Sequence, residues 1–282
     1  MKKKYNLFSR SFIELILLFI CMILIKPYNV NEISESLPNI EISNSGNEYA
    51  GHTLVIDEKC LNLDMNIWNV CPKGPYSWNI EAGMEPSFEN NEVDGNYMRL
   101  YASKADTLHG FMTAAIKTKK PYGDGIFECE ARFKGGNASW PAIWLAPAHV
   151  KPDYENYYEI DLSEYYELRD NTDVTLHVPE SMKDSSRHCF STKKVDINKN
   201  DWNKFKCKWD EKSIVVYVND QEALRLDNNG NPDQYPLKAF QREFFIILSM
   251  QIQYDSKYLK PFDITQLPLW MDVRNIKYWK KN

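Results

Sequence analysis

The sequence predicts an all-β protein in which two antiparallel sheets pack as a sandwich. Short segments alternate apolar and polar residues with a period of two, as half-buried strands do, and residues 126–133 and 202–209 are clear cases. Turn residues such as those of Gly135-Gly136-Asn137 separate these segments. After residue 30, no long stretch has the 3.6-residue period of an amphipathic helix. Many short strands with regular turns favour a sandwich.

The strands are predicted from alternation and from the turn residues that bound each segment. In chain order they lie at residues 54–56, 97–102, 110–118, 126–133, 140–145, 157–166, 172–178, 202–209, 214–218, 223–226, 244–250 and 271–279. Asn219-Asp220 lies between two of these segments and predicts a hairpin. The run 244–250 is almost entirely apolar, which predicts a strand buried on both faces.

The amino-terminal region predicts export and precedes a single sandwich domain. Lys2-Lys3-Lys4 is followed by an apolar run over 15–25, which has the length of a signal-peptide core and is short for a membrane span. Residues 1–30 are therefore predicted to be a signal peptide, with an uncleaved membrane anchor as the alternative. The polar residues 31–50 predict a linker, and residues 51–282 the folded domain. The expected location is secreted, periplasmic or anchored at the cell surface.

Composition and cysteine usage narrow the classes of partner. The net charge of −5 gives no overall basic field, which argues against a nucleic-acid partner. Eight Trp and seventeen Tyr suit a carbohydrate partner better. No Cys-x-x-Cys pair or His-rich cluster indicates zinc, so neither a metal nor a cofactor is expected. Beyond the signal the cysteines are odd in number, so at least one thiol is free or bonded to another chain. They are Cys60, Cys71, Cys129, Cys189 and Cys207.

The chemistry is predicted to centre on the acidic segment Glu159-Ile160-Asp161-Leu162-Ser163-Glu164. In a regular strand Glu159 and Asp161 share one face, whereas Glu164 would point to the other face. A β-bulge at Leu162-Ser163 would bring Glu164 to the face of the other two acids. Like charges so close together push carboxyl pKa values apart, which suits one group to act as an acid and another as a nucleophile.

A strand with acids on its solvent-facing side is the plain alternative for this segment. Aromatic residues beside the acids favour the catalytic interpretation, because a ring face suits the C–H face of a sugar. They are Tyr154, Tyr157, Tyr158, Tyr165 and Tyr166.

Several segments together resemble glycoside hydrolase family 16. The acidic segment has the bulged form of that family's signature, Glu-x-Asp-x-x-Glu. Residues 122–132 resemble the family's Tyr-Gly-x-Phe-Glu-x-Arg strand, and 140–145 its Trp-Pro-Ala-x-Trp-Leu segment. Residues 201–226 resemble its Trp strand and the hairpin that follows. The order and spacing of these segments agree with the family from about residue 54 to 280.

The resemblance implies a concanavalin-like jelly roll with a sugar cleft on its concave face. Carried over by position, Glu159 is expected to be the nucleophile and Glu164 the general acid/base, with Asp161 hydrogen-bonded to the nucleophile between them. The implied chemistry retains configuration through a covalent glycosyl-enzyme.

Substrate contacts are expected from Trp140, Trp144 and His177. Core packing is the alternative for Trp144, and a structural hydrogen bond is the alternative for His177.

The implied substrate is a polysaccharide, either a β-1,3- or β-1,3/1,4-glucan or a β-galactan such as an agar- or keratan-like chain. Residues 249–254 depart from the Gly-Gly-Trp-like segment of β-glucanases in the family. Arg274 stands about where many members have a calcium-ligating Asp, so no calcium is expected. A transglycosylase with the same residues and a glycan-binding sandwich without activity are the alternatives; the second would be expected to lack one of the acids.

Overall fold

A computed structural model of the protein describes most of the chain after the linker. The described residues are 48–72, 81–148, 158–181, 184–199, 201–227 and 243–282, without the side chains of 178–191. The predicted signal segment 1–30, most of the linker, and Tyr154 and Tyr157 lie outside these residues. The compact unit begins at Glu48 and extends to Asn282.

The predicted all-β sandwich is confirmed. The described residues form sixteen strands and one 3-10 turn, Ile264–Gln266. Within these residues, no helix has the length and apolar character needed to cross a membrane. The strands are β1 (His52–Glu58), β2 (Trp68–Val70), β3 (Ala82–Met84), β4 (Ser87–Asn91), β5 (Gly95–Lys104), β6 (Phe111–Thr118), β7 (Gly125–Lys134), β8 (Ala142–Pro147), β9 (Glu159–Glu164), β10 (Asn171–Ser181), β11 (Asp184–Asp196), β12 (Asn203–Trp209), β13 (Ser213–Val218), β14 (Gln221–Asp227), β15 (Phe244–Ser249) and β16 (Leu269–Lys281).

The strands form two layers that are joined through the pairing of β5 with β6. The first layer runs in the order β11-β10-β9-β8-β15-β6, and the second in the order β5-β16-β7-β12-β13-β14. Shorter strands extend these layers, with β2 and β3 on β6, β4 on β5, and β1 on β16. All of these pairings are antiparallel except that of β3 with β6.

The main core lies between the two layers. Ile160 and Leu162 of β9 and Phe127 and Phe205 of the second layer are fully buried there. Phe133 of β7 stacks on a ring from the first layer, Tyr165, with centroids 4.8 Å apart. Because burying each large apolar side chain contributes roughly 1.5–3 kcal/mol, this core orients the strands that carry the site.

Two turns require particular residues. Asn219 and Asp220 both have positive φ, 51° and 61°, which is the geometry of the two-residue hairpin predicted there. Gly135 lies against the backbone carbonyl of Glu167, and any side chain at this position would clash with that oxygen. The turn that follows β7 therefore packs directly against the segment that follows β9.

The first and last strands of the sandwich are neighbours. β1 pairs with the carboxyl-terminal half of β16, with His52 opposite Lys281. The amide N–H of Asn282 donates to the carbonyl of Gly51 at 2.9 Å. The amino-terminal half of β16 lies between β5 and β7, so β16 is an interior strand of the second layer.

Four cysteines are buried free thiols, and the side chain of Cys189 is outside the described residues. Burial raises the pKa of the Cys60 and Cys71 thiols to about 12 and about 11, so both stay neutral at physiological pH. The four are Cys60, Cys71, Cys129 and Cys207.

A buried carboxylate joins two strands of the second layer. Asp272 of β16 has no exposed surface. It accepts from Arg99 Nε and Nη2 at 2.7 and 3.0 Å and from Arg132 Nε at 2.9 Å. Removing one partner of such a group leaves charge without compensation, which costs more than losing an exposed pair.

Replacing this carboxylate should destabilise the sandwich. We expect Asp272→Asn to lower the free energy of unfolding by about 2–3 kcal/mol, because two partly exposed guanidinium groups lose the negative charge and one of the two acceptor oxygens that they share. Urea unfolding followed by circular dichroism measures the change. Glu222→Gln breaks an exposed pair with Arg225 and is the control, for which little change is expected. Equal losses in the two variants would contradict the prediction.

Candidate active site

The predicted bulge is present in β9. Asp161 pairs with Trp144 of β8 and Glu164 pairs with Ala142, so two residues of β9 lie opposite Ile143 alone. The pairing with β10 has the same irregularity. Thr175 pairs with Asp161 and Asp173 pairs with Glu164, so two residues of β9 again lie opposite a single residue. The bulge therefore turns Glu164 to the face of Glu159 and Asp161, whereas strict alternation would turn it to the opposite face.

As a consequence, Glu159, Asp161 and Glu164 lie on one face of the first layer. Ile160 and Leu162 point into the main core, so the acids lie on the opposite side, which we call the outer face. Glu159 and Glu164 are partly exposed, while Asp161 is buried. The three carboxyl groups are thus brought together by the register of a single strand.

The extra residue of the bulge is accommodated inside the protein. Leu162 and Ser163 are both fully buried. The hydroxyl of Ser163 is hydrogen-bonded to the hydroxyl of Thr172 at 2.7 Å. Because its polar group has a partner, Ser163 is buried without the cost of an unsatisfied hydroxyl.

His177 on β10 joins two of the acids. It pairs with Glu159 across the strands, and its Nε2 lies 2.8 Å from Asp161 Oδ2 and 3.6 Å from Glu159 Oε1. Asp161 is also hydrogen-bonded to Glu159. The histidine predicted from sequence to contact substrate therefore belongs to the carboxylate cluster itself.

Asp161 resists ionisation. Burial raises the pKa of the Asp161 carboxyl well above its usual range, and the negative charge of Glu164 raises that pKa further. The hydrogen bond with Glu159 acts in the opposite direction and offsets only part of the shift. Asp161 therefore tends to keep a proton that it can share with its neighbours.

Glu164 is held by three donors from three parts of the chain. Its Oε1 accepts from Trp140 Nε1 at 3.1 Å and from the Tyr166 hydroxyl at 2.7 Å, and its Oε2 accepts from Thr175 Oγ1 at 3.1 Å. Burial and the neighbouring carboxylate raise the pKa of Tyr166 well above its usual range, so this hydroxyl remains a donor. These contacts fix the orientation of Glu164.

Thr175 was missed by the sequence analysis, and Tyr166 was identified only as one of several aromatic neighbours. A usable signal for Thr175 was present, because it lies two residues before His177 and must share its face of β10. Tyr166 had the same signal, because it lies two residues after Glu164 in the predicted strand 157–166, and β9 itself ends at Glu164.

The two predicted tryptophans occupy different parts of the outer face. Trp140 is partly exposed and stacks on Tyr166, with centroids 5.5 Å apart. Trp144 is only 7% exposed and packs with Ile247 and Phe245 in a small cluster separate from the main core. Its Nε1 donates to Ser249 Oγ at 3.2 Å. Trp144 thus faces the side of the acids, as predicted, but most of its surface is covered.

Two tyrosines that flank the acids in sequence lie elsewhere. Tyr158 and Tyr165 are buried in the main core, 2% and 1% exposed. Among the described residues, the aromatic surface beside the acids therefore comes from Tyr166 and the two tryptophans, because residues adjacent in sequence to the acids alternate toward the core.

One group at this site has the chemistry of a metal site. Glu159, Asp161 and His177 each offer a ligand atom, and these atoms lie within 4.8 Å of one another. The hydrogen bond between His177 and Asp161 already uses two of those atoms. The absence of a metal requirement stays a prediction.

The fold and the acidic site together resemble those of glycoside hydrolase family 16. The sequence profile of a domain family described as 3-keto-alpha-glucoside-1,2-lyase-like matches residues 73–257. The chain belongs to this family of 3-keto-alpha-glucoside-1,2-lyase-like domains.

Known proteins with related sequences or structures agree with this class. A keratan-sulfate endo-1,4-beta-galactosidase of Sphingobacterium multivorum is 25% identical over 196 residues, which are 66% of this chain and 45% of that protein. The chain thus spans less than half the length of this relative. SCLam, a non-specific endo-beta-1,3(4)-glucanase of family GH16, superposes with a TM-score of 0.67 at 17% identity over 83% of this chain and 92% of its own. The catalytic domain of a laminarinase from Thermotoga petrophila RKU-1 gives a TM-score of 0.65 at 22% identity, covering 82% and 98% of the two chains.

The bulge can be tested by deleting one of the two residues that lie opposite Ile143. Removing Ser163 leaves Asp161 opposite Trp144 and Glu164 opposite Ala142, so we expect the variant to fold cooperatively. Its free energy of unfolding should fall by about 1–3 kcal/mol, because the buried Thr172 hydroxyl loses its partner. Ser163→Ala keeps the bulge but loses the same hydrogen bond, so it should cost a similar amount in thermal or urea unfolding. A deletion that abolishes cooperative unfolding while Ser163→Ala does not would contradict this prediction.

The protonation of Asp161 predicts a pH dependence of stability. The Asp161 carboxyl has a pKa near 3.8 in the unfolded chain and a higher pKa in the folded protein. Between these two pKa values the folded protein therefore binds one more proton than the unfolded chain. Stability should therefore fall as pH rises, by at most about 1.4 kcal/mol per pH unit. Asp161→Asn cannot hold this proton. The free energy of unfolding of the variant should therefore rise relative to that of the wild type between about pH 4 and pH 6.

Urea unfolding at several pH values measures this difference. Glu89→Gln replaces a carboxyl on β4, away from the site, and should run parallel to the wild type. Parallel curves for Asp161→Asn and the wild type would show that Asp161 ionises normally in the folded protein.

Proposed function

We propose that this protein is an endo-acting β-glycoside hydrolase that cleaves a polysaccharide with retention of configuration. The observation that carries the proposal is the bulge in β9, which places Glu159, Asp161 and Glu164 on one outer face. Retaining glycosidases need two carboxyl groups on opposite sides of the scissile bond, about 5–5.5 Å apart. Glu159 and Glu164, with Asp161 between them in the strand, suit these two positions.

In the first step, a carboxylate oxygen of Glu159 attacks the anomeric carbon. Glu164 gives its proton to the glycosidic oxygen, the bond from this oxygen to the anomeric carbon breaks, and the leaving sugar departs as an alcohol. The product is an ester between Glu159 and the remaining sugar. The three donors around Glu164 position it for this transfer.

In the second step, water attacks the anomeric carbon while Glu164, now a carboxylate, takes a proton from it. The ester bond to Glu159 breaks, and both carboxyl groups return to their starting states. Two inversions give net retention, and one water is added across the bond. A sugar hydroxyl in place of this water would make the same site a transglycosylase.

Asp161 and His177 are proposed to tune the nucleophile. Asp161 shares a proton with Glu159 through their hydrogen bond, and Asp161 Oδ2 accepts from the Nε2–H of His177. The hydrogen bond between the two carboxyl groups stabilises the carboxylate form of Glu159, which makes Glu159 a better leaving group when the ester breaks. Trp140 and Tyr166 present ring faces beside Glu164 on which a sugar can stack.

The similar proteins favour a polysaccharide substrate. The relative from Sphingobacterium multivorum is an endo-β-galactosidase by name, and the two structural neighbours are endo-β-glucanases by name. A related SCLam structure has an oligosaccharide at its active site. Because a polymer of this kind is too large to enter a cell intact, we also propose that the protein acts outside the cytoplasm, which the amino-terminal residues 1–30 favour.

The description of the matched family names a lyase, and the product distinguishes the two chemistries. A lyase would eliminate the leaving sugar and leave a carbon–carbon double bond, whereas hydrolysis adds water and creates a new reducing end. Three acids on one face favour hydrolysis, since one base suffices for removing a proton in an elimination. An ultraviolet-absorbing product without new reducing ends would favour the lyase.

Replacement of either glutamate should abolish hydrolysis. We expect Glu159→Gln and Glu164→Gln to lower kcat on β-glucans and β-galactans by at least 10²-fold, because each step then lacks its nucleophile or its proton donor. Reducing-end release measures the rate, and proton NMR of the first products reports their configuration. On an aryl β-glycoside, whose good leaving group departs without a general acid, Glu164→Ala should regain turnover with azide and give a β-glycosyl azide, since azide needs no general base.

The control for these variants is Glu89→Gln, which should keep full activity. Full hydrolysis by Glu159→Gln or Glu164→Gln would overturn the site assignment. A wild-type protein that binds a glycan but releases no product from any member of the panel would favour the glycan-binding alternative.

A further inference from the structure

A cation lies on the same face of the first layer as the acids, in line with them across the sheet. Asp161 pairs with Trp144, Trp144 with Ile247, and Ile247 with Lys117 of β6. Paired residues of antiparallel strands point to the same side, so all four lie on the outer face. Three strand spacings separate Lys117 from Asp161, which is about 14 Å along the sheet.

The Lys117 ammonium lies over an aromatic ring. Its Nζ is 4.5 Å from the centroid of Phe245, which joins Trp144 and Ile247 in the apolar cluster of the outer face. Next to it on β2, Asn69 pairs with Lys117 and is exposed. A ring, a cation and an amide thus lie together at the end of an apolar strip that begins beside the acids.

Among the described residues, no carboxylate lies within ion-pair distance of Lys117. The nearby thiol of Cys71 does not neutralise it, because burial raises the pKa of that thiol to about 11 despite the opposing effect of the lysine. Several other lysines of the described residues have carboxylate partners, as Lys206 and Lys208 do with Glu48. A partly buried cation with no such partner, in line with a site for a long polymer, is suited to an anionic group of that polymer.

We propose that Lys117, Phe245 and Asn69 form a distal subsite that binds a sulfate ester on the glycan, several sugars away from the bond that is cleaved. A sulfate presents its oxygens in a tetrahedral set, which a point charge such as an ammonium contacts from many directions. The related enzyme from Sphingobacterium multivorum is, by name, a keratan-sulfate endo-β-galactosidase. This inference rests on the proposed function, since it specifies a substrate for the same outer face.

Keratan sulfate and its chemically desulfated form provide the test. The wild type is expected to have a kcat/KM about tenfold higher on the sulfated chain, the factor that one charge-assisted contact supplies. Lys117→Met keeps the apolar stem over Phe245 but removes the charge, so it should lose this preference and leave the rate on the desulfated chain unchanged. Lys117→Arg should restore part of the preference, and salt should reduce it.

Lys277→Met is the matched control. Lys277 is also partly buried and also lies near an aromatic ring, 5.7 Å from the centroid of Trp279, but on β16 of the second layer. Its replacement should leave the preference for the sulfated chain intact. Equal rates of the wild type on both chains, or an unchanged preference in Lys117→Met, would overturn the proposed subsite.

Binding separates failure of this inference from failure of the proposed function. In the Glu159→Gln background, calorimetry with sulfated and desulfated keratan oligosaccharides should show about tenfold tighter binding of the sulfated form, lost on adding Lys117→Met. If the wild type releases no reducing ends but this difference in affinity is present, the subsite stands and the enzymatic proposal is wrong. Hydrolysis with equal affinities would refute the subsite alone.

Discussion

The arrangement of the site depends on one irregular backbone pairing. Strand alternation permits two acids of the segment 159–164 to share a face, and the third reaches that face only because Leu162 and Ser163 together oppose a single residue on each neighbouring strand. Both of these residues are buried, and the serine has a hydrogen-bond partner. The irregularity is therefore held by packing on the core side, while its effect appears on the outer side. A regular strand of the same composition would bury Glu164 among apolar side chains, which is strongly unfavourable.

The two sides of β9 impose opposite requirements that the surrounding strands reconcile. Apolar residues on the core side keep the strand in place, whereas the outer side collects like charges that repel one another. The repulsion is relieved in two ways: Asp161 keeps a proton because it is buried, and Glu164 is surrounded by three donors. Chemical asymmetry between the carboxyl groups thus comes from their different surroundings rather than from their residue types.

Much of this arrangement could be predicted from the sequence, and the misses have physical reasons. The long strands were predicted because their alternation is strong, and the bulge was predicted from the spacing of the acids. Strands β2, β3, β4 and β11 were missed because three are short and the fourth is polar, so their pairing depends on neighbours rather than on their own pattern. Thr175 was missed because a threonine on a strand has no distinguishing signal until its partner is known. Tyr165 was grouped with the aromatic neighbours of the acids. It packs on Phe133 in the core instead, because it directly follows Glu164 and its side chain points to the opposite face.

The position of β16 has a consequence for how the protein is made. This strand is the last of the sandwich to leave the ribosome, yet it lies inside the second layer, paired with β1, β5 and β7. Until residues 269–281 are available, β5 and β7 have unpaired edges with no neighbour to fill the space between them. A nascent chain therefore cannot complete the second layer before β16 is synthesised. Until then it exposes strand edges that favour aggregation. Folding should be slow and late, since its decisive contacts join the two ends of the domain.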